Sequence, residues 1–340
     1  MRAAVFTELG GPSNVEVQEL EDPEPTGDEV VLDVEASSIN HHDYWYLKGE
    51  SRIGEEDLPF LSGVDVAGTV RELGEGVSSV EVGDRVVLNP METCGKCEYC
   101  RDGPENLCVE YGLFHGGFAE QAAVPADRLI PVPDSVSMRK AAALPVAYMT
   151  AWHMIRRAEI DPIDNVLIPG ATGGVDVAAT HLLDTLGATV VGTSSSAEKL
   201  EQLEEEGADH GVQVTSAEDL PDATAEYGRF QAVLNHLAGE FTEVSLKVME
   251  TDGRMVICGA TAGPRSEFDA WDLFLRHKRI IGSTMGTQRD LRRVVELAGN
   301  GAFSPVIDEV YPLSETDQAF ADMRDREQFG KIIIAPQAED

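Results

Sequence analysis

Positive charge is what this chain has least of. Its 340 residues carry 26 Lys plus Arg against 61 Asp plus Glu, a formal charge of −35, and only seven of the cations are lysines. A nucleic-acid partner held through its phosphates is excluded, because such binding needs a surplus of cations. Long apolar runs are missing too. None approaches the roughly 20 residues that a membrane-crossing helix requires, so no membrane partner is expected. Aromatic residues are scarce at 6%, yet the hydrophobic fraction of 42% is that of a globular chain. At roughly 150 residues per domain the length predicts about two domains, each with its own core, which excludes a disulfide-stapled miniprotein.

The acids are spread along the chain from Glu16 to Glu339, with only short clusters such as Glu204, Glu205 and Glu206. This reads as an acidic surface everywhere and resembles the proteins of salt-accumulating organisms. At molar salt the Debye length falls to about 3 Å, which screens the self-repulsion that would otherwise loosen the compact state. The expectation is a halophilic protein. The segment Met1-Arg2-Ala3-Ala4-Val5-Phe6 runs into polar residues with no apolar signal core, which predicts a cytoplasmic location.

Up to about residue 134 the pattern is short strands between turn residues, for example 29–34, 68–73 and 85–88. Residues 140–160 turn helical. Strands and helices then alternate, with strands at 166–168, 189–192, 232–235, 254–258 and 279–282, and helices at 174–186 and 198–206. Gly187 suits the C-cap of the first of these helices. Such alternation implies a doubly wound parallel sheet. A helix at 291–299 and a last apolar strand at 331–335 close the chain.

Four of the five cysteines fall within fifteen residues, as Cys94, Cys97, Cys100 and Cys108. In a reducing compartment this points to metal rather than to disulfides. Four thiolates close a tetrahedron around one zinc and leave no position for water or substrate, so the site reads as structural. The neighbours Lys96, Glu98, Arg101, Asp102 and Glu105 are polar and form no core. Cys258 lies in an apolar run and reads as an inert core thiol.

Gly170-Ala171-Thr172-Gly173-Gly174-Val175 follows one predicted strand and opens a predicted helix. Gly170, Gly173, Gly174 and the Val175 amide would let a pyrophosphate approach the positive end of that helix. Asp176 departs from the motif, which wants a small residue there. A carboxylate would repel a phosphate unless turned away, although an acid in a first turn also complements the helix dipole. The next strand ends Gly192-Thr193-Ser194-Ser195-Ser196 without the carboxylate that would bind an NAD ribose. Ser194, Ser195 and Lys199 suit a 2′-phosphate instead, which predicts NADP(H). Alternatively Ser195 or Ser196 merely caps the following helix. His236, just past a predicted strand, reads either as a ribose neighbour or as a packed loop histidine.

The order of these parts resembles the medium-chain dehydrogenase/reductase superfamily over nearly the whole chain. Matching segments include Gly10-Gly11-Pro12, Gly83-Asp84-Arg85-Val86, Gly116-Gly117-Phe118-Ala119-Glu120, Thr150-Ala151-Trp152, Gly253-Arg254 and Gly330-Lys331-Ile332. The resemblance implies an α/β architecture: a GroES-like β-rich catalytic domain of residues 1–146 and 286–340, and a Rossmann domain of residues 147–285. It implies a small-molecule substrate, a homodimer or homotetramer, and adds Thr150 and Gly259 to the cofactor-lining set.

Zinc alcohol dehydrogenases of this superfamily hold a catalytic zinc at positions that align with Asn40, Val64 and Val146. None of these three can retain a Lewis-acidic metal. Asn40-x-x-Asp43 resembles instead the quinone and enoyl reductases that lack the catalytic zinc, including a branch that keeps the structural one. This implies metal-free hydride transfer from NADPH to an enone, enoyl ester or quinone. Asn40 would be the amide donor at the vacated metal position, with Tyr44, His41 or His42 passing on a proton and Asp43 orienting the segment. Alternatives are a substitute metal site of His41, His42 and Asp65, as in a zinc alcohol dehydrogenase, or a non-enzymatic NADPH-binding protein. Alternation along an extended segment would send His41 and His42 to opposite faces.

Overall fold

The computed structural model describes residues 1–50 and 53–337; residues 51, 52 and 338–340 lie outside it. The chain forms two compact units, Met1–Val146 with Thr287–Asp340, and Ala147–Gly286.

The first unit is built on a seven-stranded sheet whose central strand is Glu29–Ser38. Its β-branched residues Val30, Val31 and Val34 favour the pleated surface, and all three are buried. Asp65–Leu73 and Gln121–Pro125 pair with it antiparallel, and so does Lys331–Ala335 through Ile333 opposite Ser38 and Ile334 opposite Ser37. The unit is therefore stitched from segments near both ends of the chain. One core lies around Val30, Leu32, Val66 and Leu88. A second gathers Phe6, Ile39, Leu47, Phe118, Phe320 and Ile334.

The second unit holds a six-stranded sheet in the order His210–Gln213, Thr189–Ser194, Asn165–Ile168, Phe230–Asn235, Met249–Ile257, Arg279–Gly282, with every pairing parallel. Val166, Leu167 and Ile168 are all fully buried, as expected of a parallel strand covered on both faces. Helix Gly174–Leu186 buries Val177, Ala178, His181 and Leu182. It ends at Gly187, whose φ of +88° takes the left-handed cap that glycine tolerates. The strand order reverses beside Asn165–Ile168. The carboxyl ends of Asn165–Ile168 and Phe230–Asn235 thus flank the switch point at which open α/β sheets bind their ligands.

Candidate functional site

In the second unit the glycine turn leaves Asn165–Ile168 at that switch point. Gly170 has φ +73°, and a Cβ there would lie 3.1 Å from Leu237 Cδ1 and 3.2 Å from His236 Cε1. The turn is pinned to the neighbouring strand: the Gly170 N–H donates to Thr193 Oγ1 at 3.2 Å and the Ala171 N–H to the Thr193 carbonyl at 2.7 Å. Gly173 caps helix Gly174–Leu186, and the first amides of a helix have no acceptor within it. Gly259 is required by a close approach, since its Cβ would meet the His236 carbonyl at 2.7 Å. Gly170, Gly173, Gly174, Val175, His236 and Gly259 thus gather at one edge of the sheet. This cradle of glycines and helix amides fits a dinucleotide pyrophosphate.

At the end of Thr189–Ser194, the Ser194 hydroxyl accepts from the Ser196 N–H at 3.2 Å. Ser196, not Ser195, caps helix Ala197–Glu205, accepting from the Lys199 N–H at 3.4 Å. Ser195 is exposed and Lys199 half-buried in the first turn. Thr150 is buried in Met149–Arg157 with its hydroxyl 3.9 Å from Met285 Sδ.

Asp176 turns inward. Its carboxylate is buried and faces His236 Nδ1 at 2.7 Å. His236 is therefore occupied by a carboxylate, a partner the sequence reading did not foresee. Burial pushes the Asp176 carboxyl above its usual range, and His236 pulls it back. Cys258, beside this pair, has its thiol pushed well up by burial and by the Asp176 charge, so it stays protonated and unreactive.

In the first unit, the four cysteine ligand atoms lie within 4.8 Å of one another. Cys97 Sγ is 3.4 Å and Cys94 Sγ 3.9 Å from Cys100 Sγ. A zinc with Zn–S bonds of 2.3 Å sets sulfurs about 3.8 Å apart in a tetrahedron, so the cluster fits that ion. The left-handed turns at Gly95 and Gly103 bring the segments together. The backbone N–H groups of Lys96 and Cys97 depress the Cys94 thiol to about 6, whereas burial, with Cys97 and Cys108, pushes the Cys100 thiol up to about 11. No other group of three or more His, Cys, Asp or Glu side chains among the described residues is close enough to hold an ion. His41, His42 and Asp65 are therefore not assembled as a substitute metal site.

The segment carrying Asn40 is helical rather than extended from His41 to Leu47, which corrects the alternation argument. Asp43 nucleates this turn: its Oδ2 accepts from the Asn40 N–H at 2.9 Å, and its Oδ1 from Ser62 Oγ at 2.6 Å and the Gly63 N–H at 3.2 Å. These bonds fix the start of the helix. His41 and Tyr44, three apart, share one side of the helix. His41 stands edge-on to Trp45, with centroids 6.3 Å apart, and Lys48 Nζ lies 5.7 Å above the Tyr44 ring. His42 Nε2 lies 3.6 Å from Asp43 Oδ1.

Asp65, the neighbour of Val64 in the chain, is the hub that joins the other two positions aligned with zinc ligands, Asn40 and Val146. Its Oδ1 accepts from the Val146 N–H at 3.0 Å, and its Oδ2 accepts from Asn40 Nδ2 at 2.9 Å and Ser38 Oγ at 2.5 Å. Lys331 completes the cluster, donating to Asn40 Oδ1 at 2.6 Å and the Ile39 carbonyl at 2.9 Å, with Asp65 Oδ2 at 3.6 Å. Burial lowers the Lys331 ammonium below its usual value, with Asp65 and Asp43 acting against that. The second hydrogen of the Asn40 amide faces the Ser38 carbonyl at 3.2 Å. Both amide hydrogens are committed, which corrects the expectation of a donor open to substrate.

The chain matches two family models, "Alcohol dehydrogenase GroES-like domain" over residues 26–134 and "Zinc-binding dehydrogenase" over residues 174–300. It is also 33% identical to a thermostable alcohol dehydrogenase of Pyrobaculum aerophilum solved with cobalt and zinc, with a TM-score of 0.90 and 99% of each chain covered. The chain belongs to the medium-chain dehydrogenase/reductase superfamily. Curated relatives in this superfamily include an NAD-dependent alcohol dehydrogenase of Saccharolobus solfataricus, 29% identical over 99% of this chain and 100% of the relative. An acryloyl-coenzyme A reductase of Sulfurisphaera tokodaii is 28% identical over 96% and 98%. As a member of the superfamily the protein is an oxidoreductase, with the GroES-like and Rossmann architectures described above. The residues at positions that align with the superfamily's catalytic-zinc ligands do not fit the ion: Asn40, Val64 and Val146 offer no anionic or imidazole ligand, and the buried Lys331 side chain bonds to Asn40.

Proposed function

We propose that this oxidoreductase transfers hydride from NADPH to an activated double bond of a small molecule, an enone, enoyl ester or quinone, without metal at the reacting centre. The observation that carries this reading is the Asp65 hub, where an amide, Asn40, stands at a position aligned with a zinc ligand and bonds to the Lys331 amine. A bound nicotinamide dinucleotide supplies the hydride. Gly170, Gly173, Gly174 and Val175 would hold its pyrophosphate, while Ser194, Ser195 and Lys199 would meet a 2′-phosphate. Thr150, His236 and Gly259 line the same unit.

Hydride addition leaves negative charge on the acceptor's oxygen, which must be met by hydrogen-bond donors and then a proton. Helix His41–Leu47 offers the Tyr44 hydroxyl first and the His41 imidazole second. Asn40 acts as a positioning residue, because its amide ties Lys331 to Asp65 and so fixes the start of the helix that carries both donors.

The test is one purified sample assayed two ways, with enones, enoyl thioesters and quinones plus NADPH, and with simple alcohols plus NADP⁺ or NAD⁺. Reduction in the first arm is expected. Alcohol oxidation alone, the activity named for several relatives, would refute the proposal. Asn40→Ala should lower kcat about tenfold or more with little change in cofactor affinity, as for a residue that positions the donors meeting the developing charge without touching the cofactor.

A further inference from the structure

The glycine turn has an acid built into it. Asp176 is the third residue of helix Gly174–Leu186, inside the first turn, where a carboxylate competes with a bound anion for the helix's positive end. It does not point to solvent. Its Oδ2 lies 3.0 Å from where a Gly173 Cβ would be, and its Oδ1 faces His236 Nδ1 at 2.7 Å. The approach makes the two an ion pair whenever the imidazole carries its second proton. His236 in turn presses on Gly170, with Cε1 3.2 Å from the Cβ position there. The pair therefore underlies both ends of the turn, at the one place in the motif where a small residue is ordinarily wanted.

From these contacts, and resting on the reading of this turn as the dinucleotide site, we infer that the Asp176–His236 pair governs pyrophosphate binding by its proton count. With one proton shared between them the pair is neutral and the turn accepts the phosphates. When that proton leaves, a buried carboxylate remains under the turn and repels them. Among the described residues, the titratable groups acting on Asp176 are His236, from the segment after Phe230–Asn235, and Cys258, at the end of Met249–Ile257. The Cys258 thiol is neutral, and Leu237 and Thr193 beside the turn carry no charge. Linkage then fixes the sign: dinucleotide affinity falls as pH rises through the loss of the pair's proton, and in that range binding takes up a proton.

The experiment is calorimetric titration of the full chain with NADPH and with NADH at constant KCl, from about pH 6 to about pH 9.5, a range that brackets imidazole titration. Repeating it in buffers of different ionisation enthalpy counts protons. For the unaltered chain the expected result is an affinity loss of about tenfold across the range, with proton uptake on its alkaline side, since the buried pair escapes most salt screening. Asp176→Asn should flatten the profile above about pH 7, abolish the uptake and bind more tightly at the alkaline end. Asp176→Gly should do the same, and thermal unfolding of each variant separates misfolding from altered binding. Dinucleotide binding whose pH profile and proton uptake survive Asp176→Asn overturns this inference alone. No binding by the unaltered chain at any pH overturns the reading of the turn as well.

Discussion

Lys331 is the buried charge that the Asn40 cluster depends on, and a single substitution isolates its contribution. Lys331→Met leaves the Asp65 carboxylate buried without a cation, and breaking a buried pair in this way costs about 3 kcal/mol or more. Denaturant unfolding should show that loss, and Asp65→Asn in the same chain should recover a large part of it. Nothing in the sequence made this cluster readable, because Asp65 and Lys331 are 266 residues apart. The available signal was local: one ammonium opening the apolar strand Lys331–Ala335, in a chain with seven lysines. His115 is a second residue that sequence reasoning missed. It packs against the Tyr46 and Phe60 rings at 4.9 and 5.0 Å, and burial lowers its imidazole to about 4. The unfolded chain binds that proton near the ordinary value of about 6.5, so stability falls as pH drops from there towards 4, by at most about 3 kcal/mol. His115→Phe should remove much of the loss between about pH 6.5 and 5, as read from chemical unfolding at each pH.

The cysteine lobe and the glycine-turn helix were the most readable elements, because each is fixed by neighbours in sequence. Ligand spacing alone brings four sulfurs together, and Gly187 stops its helix at the residue expected. Elemental analysis should return one zinc per chain, and Cys100→Ser should lower thermal stability more than turnover, since metal binding at such a site is folding free energy. Helix His41–Leu47 was misread as extended although Asn40-x-x-Asp43 is a local capping signal; only the further Asp43 bonds, to Ser62 and Gly63 some twenty residues on, lay beyond the reach of sequence. Asp176 was unexplained for the same reason, its partner being 60 residues away. In the proposed NADPH site, Ser194 at the strand end and Lys199 in the first turn of helix Ala197–Glu205 would set the cofactor preference. Lys199→Ala should raise the KM for NADPH about threefold to tenfold and leave that for NADH nearly unchanged, an effect that molar salt will shrink by screening.

A formal charge of −35 acts on the molecule as a whole. If self-repulsion limits stability in dilute buffer, Tm should climb by about 10 °C or more between low salt and molar KCl. A protein equally stable without salt would remove the halophilic reading. The two units also differ in how the chain builds them. Ala147–Gly286 is one continuous run, whereas the other unit draws its sheet from segments near both ends. The bond from Lys331 to Asn40 spans 291 residues. At the usual rates of protein synthesis, the ribosome needs roughly 15 to 60 s to cover that interval. Asn40 and Asp65 emerge early and must wait for their cation, while the continuous unit can fold during the delay. A nascent chain stalled shortly before Lys331 should therefore protect the unit Ala147–Gly286 from protease and leave the Asn40 segment open to cleavage.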